Sequence, residues 1–416
     1  MIAKITIENF ACIQKAEIDF NRITILIGPQ ATGKSLIAKL LFFFKKIPNI
    51  FITEGSEEIS KIHSDKTIIE LFEKYFPRKY FANQPFVIKF IVDGGSVSIY
   101  NSFAKSKAGN IKIEYSDVYN QIRLEYKKYL KYFKAHSSEG RDDEDLFMED
   151  ADSKARSKVL SKYNQYFDFP IFIPAGRSFY SNIENIIFTL LSKNQDIDPF
   201  LQEFGSFYEN IKRRNWPKRS SSSAIEALKD AILRGEFFQD KGKDYIKFKD
   251  GRIIEMPNAS SGQQEALPLY LALYWLFYIR TVGGRSRTVF IEEPEAHLFP
   301  DAQHLLVEAI GNIFNRGNNK LNFVITTHSP YILSTFNNLT FASTVVNDSN
   351  IKTASSFINT KAIINHKELS AFNTSSKGVK KIICGETGLI DAEAIDSISN
   401  KISKQFDLLL DLESVQ

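Results

Sequence analysis

Gly28-Pro29-Gln30-Ala31-Thr32-Gly33-Lys34-Ser35 satisfies the pattern G-x-x-x-x-G-K-[ST] at each fixed position. A triphosphate is a dense anion. A loop that cradles one must turn main-chain N–H groups inward, which glycines permit, and the helix that follows aims its positive end at the same point. Lys34 would bridge the β- and γ-phosphates and Ser35 would ligate Mg²⁺. Downstream, Thr288-Val289-Phe290-Ile291-Glu292-Glu293-Pro294 delivers two carboxylates to the end of an apolar run. Glu292 would hold Mg²⁺ through water, and Glu293 would polarise the attacking water. His328, directly after Phe323-Val324-Ile325-Thr326-Thr327, could reach a γ-phosphate. Ser260-Ser261-Gly262-Gln263-Gln264-Glu265 precedes a long apolar helix, where hydroxyls and free N–H groups face a potential anion. Each segment alone has a plainer reading: a glycine turn, an acidic turn, a surface histidine, a capped helix. Together they point to ATP binding and hydrolysis.

The elements that must position these residues are legible around them. Ile5-Thr6-Ile7 and Ala16-Glu17-Ile18-Asp19-Phe20 alternate like strands, and Ile23-Thr24-Ile25-Leu26-Ile27 is a continuous run suited to a buried parallel strand. Leu36 to Phe44 reads as a helix. Phe86–Val92 and Ser96–Tyr100, joined through Asp93-Gly94-Gly95, read as a hairpin. From about 116 to 166 the chain is charged and helical in period, holds Asp142-Asp143-Glu144-Asp145, and reads as an exposed insertion. Ile171-Phe172-Ile173 returns to strand, ahead of Pro174-Ala175-Gly176-Arg177-Ser178. A helical lobe is expected over about 179–240, interrupted by the basic stretch Lys212 to Arg219 around Trp216. A hairpin at Tyr245–Lys249 and Arg252–Met256 follows. Thr288–Ile291 and Asn322–Ile325 are further buried strands. The expected division is a head over 1–336 and a C-terminal extension over 337–416, ending in an amphipathic helix with Ile395, Ile398, Ile402, Phe406 and Leu409 on one stripe.

Composition narrows the class without naming it. Hydrophobic residues make up 43% and charged residues 25%, ordinary globular usage, with enough phenylalanine for a sizeable core. A net charge of +4 does not suit a protein coated in nucleic acid, although a local basic face is compatible with it. Cys12 and Cys384 alone cannot build a disulfide framework or a Cys-based zinc site, so a reduced cytoplasmic setting is expected. The N-terminus alternates like a strand and is not a signal peptide. The longest apolar run, Leu267 to Ile279, is shorter than the roughly 20 residues a bilayer span needs, so no membrane partner is expected.

The four chemical segments, in this order, resemble the ABC-type ATPases, and within them the SMC-like and OLD-like bacterial branch. The resemblance rests on Ile5-Thr6-Ile7-Glu8-Asn9-Phe10, the loop 28–35, Ser260 to Glu265, Ile291-Glu292-Glu293-Pro294-Glu295-Ala296-His297-Leu298-Phe299-Pro300, and Thr326-Thr327-His328-Ser329-Pro330. It spans Met1 to about Leu339. It implies an α/β fold: a P-loop ABC-type ATPase head with a mixed β-lobe, a RecA-like parallel sheet and helical insertions. It implies ATP and Mg²⁺ as ligands and a homodimer or higher homo-oligomer that sandwiches nucleotide. In that arrangement Ser261 and Gly262 of one subunit cap the γ-phosphate held by Lys34 of the other, with Ser260 and Gln263 also among the nucleotide-binding residues. Glu293 is then the catalytic base, His328 the γ-phosphate sensor, and Glu295 to Leu298 line the seam. Gln263 replaces the second glycine of the wider motif, and Arg177 is a candidate neighbour of the nucleotide.

The SMC reading in full would need long heptad coiled coils, for which 116–166 is too short. Lys381 to Asp391 superficially resembles the start of the metal-nuclease domain of OLD-type enzymes. No later paired-aspartate strand follows, and Glu386 reads as a turn residue. The chain therefore resembles stand-alone ATPase subunits of bacterial phage defence, such as those of the PARIS (AriA) and Septu (PtuA) systems. That resemblance implies a separately encoded effector, a nuclease or toxin, as partner. A DNA-engaging ATPase of the repair type is the alternative, with Arg213, Arg214 and Arg219 as its phosphate contacts. A binder that holds ATP without turnover is the third.

Overall fold

The computed structural model describes residues 3–53, 61–81, 84–104, 107–136, 144–182, 197–213, 224–278, 286–317, 320–375, 378–385, 387–391 and 403–407. The chain opens with two strands of an antiparallel lobe, β1 (Ala3–Phe10) and β2 (Ile13–Phe20). It leaves that lobe for β3 (Ile23–Ile27) and the helices α1 (Lys34–Thr53) and α2 (Lys61–Tyr75). It then returns through β4 (Val87–Val92), β5 (Gly95–Ala104) and β6 (Lys107–Tyr115). The lobe's strand order is β2-β1-β4-β5-β6. Period-2 alternation along β1 turns Ala3, Ile5 and Ile7 inward. Phe10 seats against Phe72, Phe76, Phe81 and Phe86, with ring centroids 5.8, 5.9, 5.4 and 5.0 Å away. This aromatic cluster fastens α2 to the lobe, in offset and edge-on geometries that favour rings.

The second sheet carries the chemistry. After α3 (Asp117–His136) and α4 (Glu144–Lys162) comes the short strand β7 (Ile171–Ile173). Beyond α5 (Pro199–Lys212) and α6 (Ala224–Ile232) lies a three-stranded antiparallel sheet of β8 (Gly235–Asp240), β9 (Lys243–Phe248) and β10 (Ile253–Glu255). Then follow α7 (Ser261–Tyr278), β11 (Arg287–Glu292), α8 (Pro300–Arg316), β12 (Leu321–Thr327), α9 (Pro330–Val345), the single turn α10 (Ile351–Ala354), β13 (Leu369–Ser375) and β14 (Gly378–Lys381). The sheet order is β14-β13-β3-β12-β11-β7, parallel except for the edge strand β14. Burial on both faces explains the near-continuous apolar runs of β3, β11 and β12. One face, with Leu26, Phe290 and Val324, shares a core with α1 and the antiparallel lobe. The other face, with Ile25, Ile291 and Ile325, packs under α7, α8 and α9.

Several elements differ from what the sequence leads one to expect. The described residues of 116–166 form α3 and α4 and are not simply an exposed insertion. Tyr119, Ile122, Tyr126 and Leu130 form a buried stripe on α3 that meets Ala151, Ala155 and Val159 of α4 within the first core. Gly235–Asp240 is a strand rather than the end of a helix, because Phe238 stacks on Tyr245 across the β8–β9 ladder, at 5.4 Å between ring centroids. β6 has no separate sequence signal. Across the boundary expected at 336 the polypeptide runs on without a break: α9 spans it, and β13 pairs in parallel with β3.

Lys212 and Arg213 end α5, with Lys212 paired to Glu209 and Asp244, while residues 214–219 of the basic stretch lie outside the described residues. Of the final helical stripe only Phe406 is described, within an exposed helical turn at 403–407. Glu386 also lies outside the described residues. The flanking loop closes tightly, with the Cys384 N–H donating to the Leu389 carbonyl and the Gly388 N–H to the Cys384 carbonyl. Among the described residues no helix is long and apolar enough to cross a membrane.

Candidate functional site

Parallel register brings the chemical residues to one edge. Ile27, the last residue of β3, pairs with Thr327, and Glu292 at the end of β11 pairs with Thr326. Ile173 at the end of β7 pairs with Ile291. The loop 28–35, the carboxylates at 292 and 293, His328 and the turn after Ile173 therefore all leave the carboxyl ends of adjacent strands. Ligands of open α/β sheets bind there.

The loop is held in shape by contacts within the chain. Gly28 has φ +148°, Ala31 φ +60° and Gly33 φ +93°. The Lys34 ammonium donates to the carbonyls of Gly28 at 2.8 Å and Pro29 at 2.7 Å. Burial pushes its pKa down, and the Glu293 and Glu295 carboxylates oppose that shift. The cation thus waits, largely desolvated, on neutral acceptors that a phosphate oxygen would outcompete. α1 begins at Lys34, so the free N–H groups of its first turn face the loop's interior. Pro29, Gln30 and Ala31 form the exposed crown.

The loop also has a partner that local sequence does not reveal. Thr374, near the end of β13, lies 2.7 Å from the Thr32 hydroxyl and donates to the Ile27 carbonyl at 3.2 Å. A β-carbon on Gly28 would lie 2.2 Å from the Thr374 carbonyl oxygen and 2.6 Å from its hydroxyl. Only glycine fits unless β13 shifts. Gly28→Ala is therefore expected to cost about 1–3 kcal/mol in unfolding free energy and at least ~10-fold in ATP affinity. Urea titration and equilibrium nucleotide titration check the two effects.

Glu292 is buried at 5% exposure. Its Oε2 accepts from the Ala175 N–H at 3.3 Å, while its buried Oε1 has no hydrogen-bond partner among the described residues. Burial raises its pKa, opposed by Lys39, the Ser35 hydroxyl and the Ala175 N–H. An orphaned carboxylate oxygen beside a serine hydroxyl suits a hard cation such as Mg²⁺ whose remaining ligands are water and phosphate. Among the described residues no group of three His, Cys, Asp or Glu side chains could hold a metal alone, so these two would share it with the nucleotide. Without metal, the raised pKa means that the folded state retains a proton the unfolded state releases. Stability contributed by this group is then present at low pH and lost as pH rises through the raised pKa. In metal-free protein, Glu292→Gln should gain in Tm over wild type between about pH 5 and about pH 8, by roughly 1–2 °C. Paired thermal scans at the two pH values check it.

Glu293 is half-exposed and sits at φ +43°, an unusual conformation for a residue with a β-carbon. Its N–H donates to the Thr326 carbonyl at 2.9 Å, which locks the turn onto β12. Its Oε1 lies 3.5 Å from Nε2 of His328. The His328 N–H donates to Oε1 of Glu295 at 2.6 Å. A carboxylate and an imidazole thus face the same space from neighbouring strands.

The Ser260 segment starts α7 with a capping box, which explains the glutamine at 263. The Gln263 N–H donates to the Ser260 hydroxyl at 3.3 Å, and the Ser260 N–H donates back to Oε1 of Gln263 at 3.2 Å. Nε2 of Gln263 donates to the Leu233 carbonyl at 2.7 Å. The polar atoms of the Gln263 side chain are therefore used within the chain, while Ser261 is exposed at the helix start. A β-carbon on Gly262 would come within 3.1 Å of the His297 carbonyl, so this helix start adjoins the turn after Glu293. Arg177, a candidate neighbour of nucleotide, is instead fully buried, with its guanidinium bonded to main-chain carbonyls behind the carboxylates.

A glycine-framed phosphate loop between strand and helix, with paired carboxylates on the second strand along, defines a P-loop ATPase built on a mixed α/β fold. The family described as AAA ATPase domain matches residues 1–333, and the chain belongs to it. No curated protein matches the sequence. Among solved structures, the chain is similar to an SMC head domain from Thermotoga maritima, at 10% identity, with 92% of this chain and 98% of that chain covered and a TM-score of 0.35. It is similar to an Smc head bound to the C-winged helix domain of ScpA, at 12% identity, covering 92% and 97%, with a TM-score of 0.38. It is also similar to an Smc head domain with an extended coiled coil, bound to the C-terminal domain of ScpA derived from Pyrococcus furiosus, at 12% identity, covering 97% and 99%, with a TM-score of 0.37.

Proposed function

We propose that this chain binds ATP on the loop 28–35 and hydrolyses it, with Glu293 as the base for the attacking water and His328 beside the γ-phosphate. The observation that carries this reading is the Lys34 ammonium, held on the carbonyls of Gly28 and Pro29 within the electrostatic reach of Glu293 and Glu295. Phosphate oxygens arriving from solvent would take over those contacts. Ser35 and Glu292 would hold Mg²⁺, which supplies charge neutralisation at the β- and γ-phosphates. The carboxylate of Glu293 would accept the proton of water lined up on phosphorus, and the imidazole of His328, 3.5 Å from it, would orient that water or the γ-phosphate.

We further infer an ABC-type sandwich. Ser261 is exposed and Gly262 partly so at the start of α7, where a helix N-terminus favours an anion. A second copy, turned head to tail about the nucleotide, would supply one. The wider role, an ATPase scaffold that holds or releases a separately encoded toxic effector in phage defence, is supported by the sequence resemblance alone. The test is the particle mass of Glu293→Gln with ATP and Mg²⁺. A dimer that needs ATP, dissociates on exchange into ADP and is abolished by Ser261→Arg supports the sandwich; a monomer under all conditions refutes it. Purification with the products of neighbouring genes tests the effector, and the absence of any complex in every nucleotide state contradicts it.

A further inference from the structure

Arg177 and Glu265 form the most completely buried ion pair among the described residues, at 0% and 2% side-chain exposure. Their bonds do not stay within one element. The Arg177 N–H donates to Glu265 Oε1 at 2.9 Å, and the Ser178 N–H to Glu265 Oε2 at 2.8 Å. Nε of Arg177 donates to the Glu265 carbonyl at 3.1 Å. Nη1 donates to the carbonyls of Pro174 at 3.0 Å and Glu292 at 2.8 Å, and Nη2 to that of Glu293 at 3.1 Å. One guanidinium therefore joins three segments: the turn after β7, the first turns of α7, and the end of β11. Desolvating such a pair costs so much that an apolar replacement is often no less stable. Stability alone is a poor reason for this arrangement, and what it joins offers a better one.

We infer that Arg177 is a positioning residue for hydrolysis: by gripping the Glu292 and Glu293 carbonyls and, with Glu265, the start of α7, it ties the helix end bearing Ser260 to Gly262 to the turn that aims the Glu293 carboxylate. The inference rests on the reading of Glu293 as the base. Glu293 sits in a left-handed conformation that its surroundings must impose. Three bonds hold it by the main chain: its N–H donates to the Thr326 carbonyl, and its carbonyl accepts from the Arg177 guanidinium and from the Ala296 N–H. The planar guanidinium is the stiff part of this link, since it fixes several acceptors in one plane, which the single point charge of lysine cannot do. A displacement of α7, such as contact of Ser261 with a phosphate from a second copy, would reach Glu293 through two bonded residues. Neither residue faces the nucleotide, so their loss should change how fast ATP is cleaved and leave how well it is held.

The test uses full-length Arg177→Lys and Glu265→Gln beside wild type. Amide hydrogen exchange is read first without nucleotide. Exchange at 258–266 and 292–298 is expected to rise together by at least ~10-fold, with the loop 28–38 and the antiparallel lobe unchanged. A uniform rise across the protein marks an ordinary core pair and overturns the inference, as does a rise in one segment alone. Steady-state hydrolysis is read second. kcat is expected to fall ~100-fold in Arg177→Lys, with KM and ATP affinity within about twofold of wild type. An unchanged kcat, or a loss shared equally with affinity, overturns it. In a double-mutant cycle, Ser261→Ala should lower kcat in wild type and lower it no further in Glu265→Gln; full additivity contradicts the link. If Arg177→Lys does not fold, Glu265→Gln carries the same measurements. If wild type hydrolyses no ATP, the reading of Glu293 as the base fails, while the exchange experiment still decides whether the two segments are tied.

Discussion

Lys34→Ala is expected to weaken ATP binding by about 100-fold and to bring hydrolysis to background. The ammonium is the only side-chain cation on the loop 28–35. A charge-assisted contact to two phosphates contributes about 3 kcal/mol, or roughly two decades of affinity. One effect runs the other way: burial already holds the Lys34 pKa down, so removing the ammonium relieves a desolvation cost in the empty protein. Unfolding temperature without nucleotide should therefore be nearly unchanged, while the rise in Tm produced by ATP disappears. Thermal scans with and without ATP separate these outcomes. Loss of the fold together with loss of binding would mean that Lys34 is a structural residue.

The second large effect is on rate rather than affinity. Glu293→Gln keeps the volume of the side chain and the turn at φ +43°, and removes the carboxylate we propose as the proton acceptor. A general base contributes about 10²–10⁴ in rate, so single-turnover phosphate release should slow by that factor while ATP affinity stays within about twofold. The neighbouring carboxylate does not compensate, because Glu292 is buried, with its Oε2 on the Ala175 N–H. Turnover within ~10-fold of wild type would remove Glu293 from the role of base.

Much of this site is legible in the sequence, because its parts are local. The loop 28–35 is a contiguous pattern, and strands buried on both faces leave continuous apolar runs that stop at Ile27, Glu292 and Thr327. What sequence does not reveal is whatever depends on a distant partner. Thr374 closes the loop from a strand 342 residues after Thr32. No spacing rule announces that contact, and β13 reads as part of an extension until its pairing with β3 is seen. Arg177 illustrates a different loss. Its neighbourhood, Pro174-Ala175-Gly176, reads as a turn near the nucleotide, which is where the main chain lies, but burial sends the guanidinium backwards into the protein. Gln263 reads as a departure from a glycine pattern, whereas in the fold it closes a capping box with Ser260. On α3, charged residues between Tyr119, Ile122, Tyr126 and Leu130 mask a buried stripe, so composition suggests exposure where periodicity supplies a core.

The central claim, that one triphosphate lies between Lys34 and Glu293, is tested most directly by a structure of Glu293→Gln crystallised with ATP and Mg²⁺. Lys34 should have left the carbonyls of Gly28 and Pro29 for the β- and γ-phosphate oxygens, with Ser35 on the metal and the residue 293 side chain facing water beside the γ-phosphate. Nucleotide bound elsewhere, or Lys34 still on those two carbonyls with ATP present, would contradict the account.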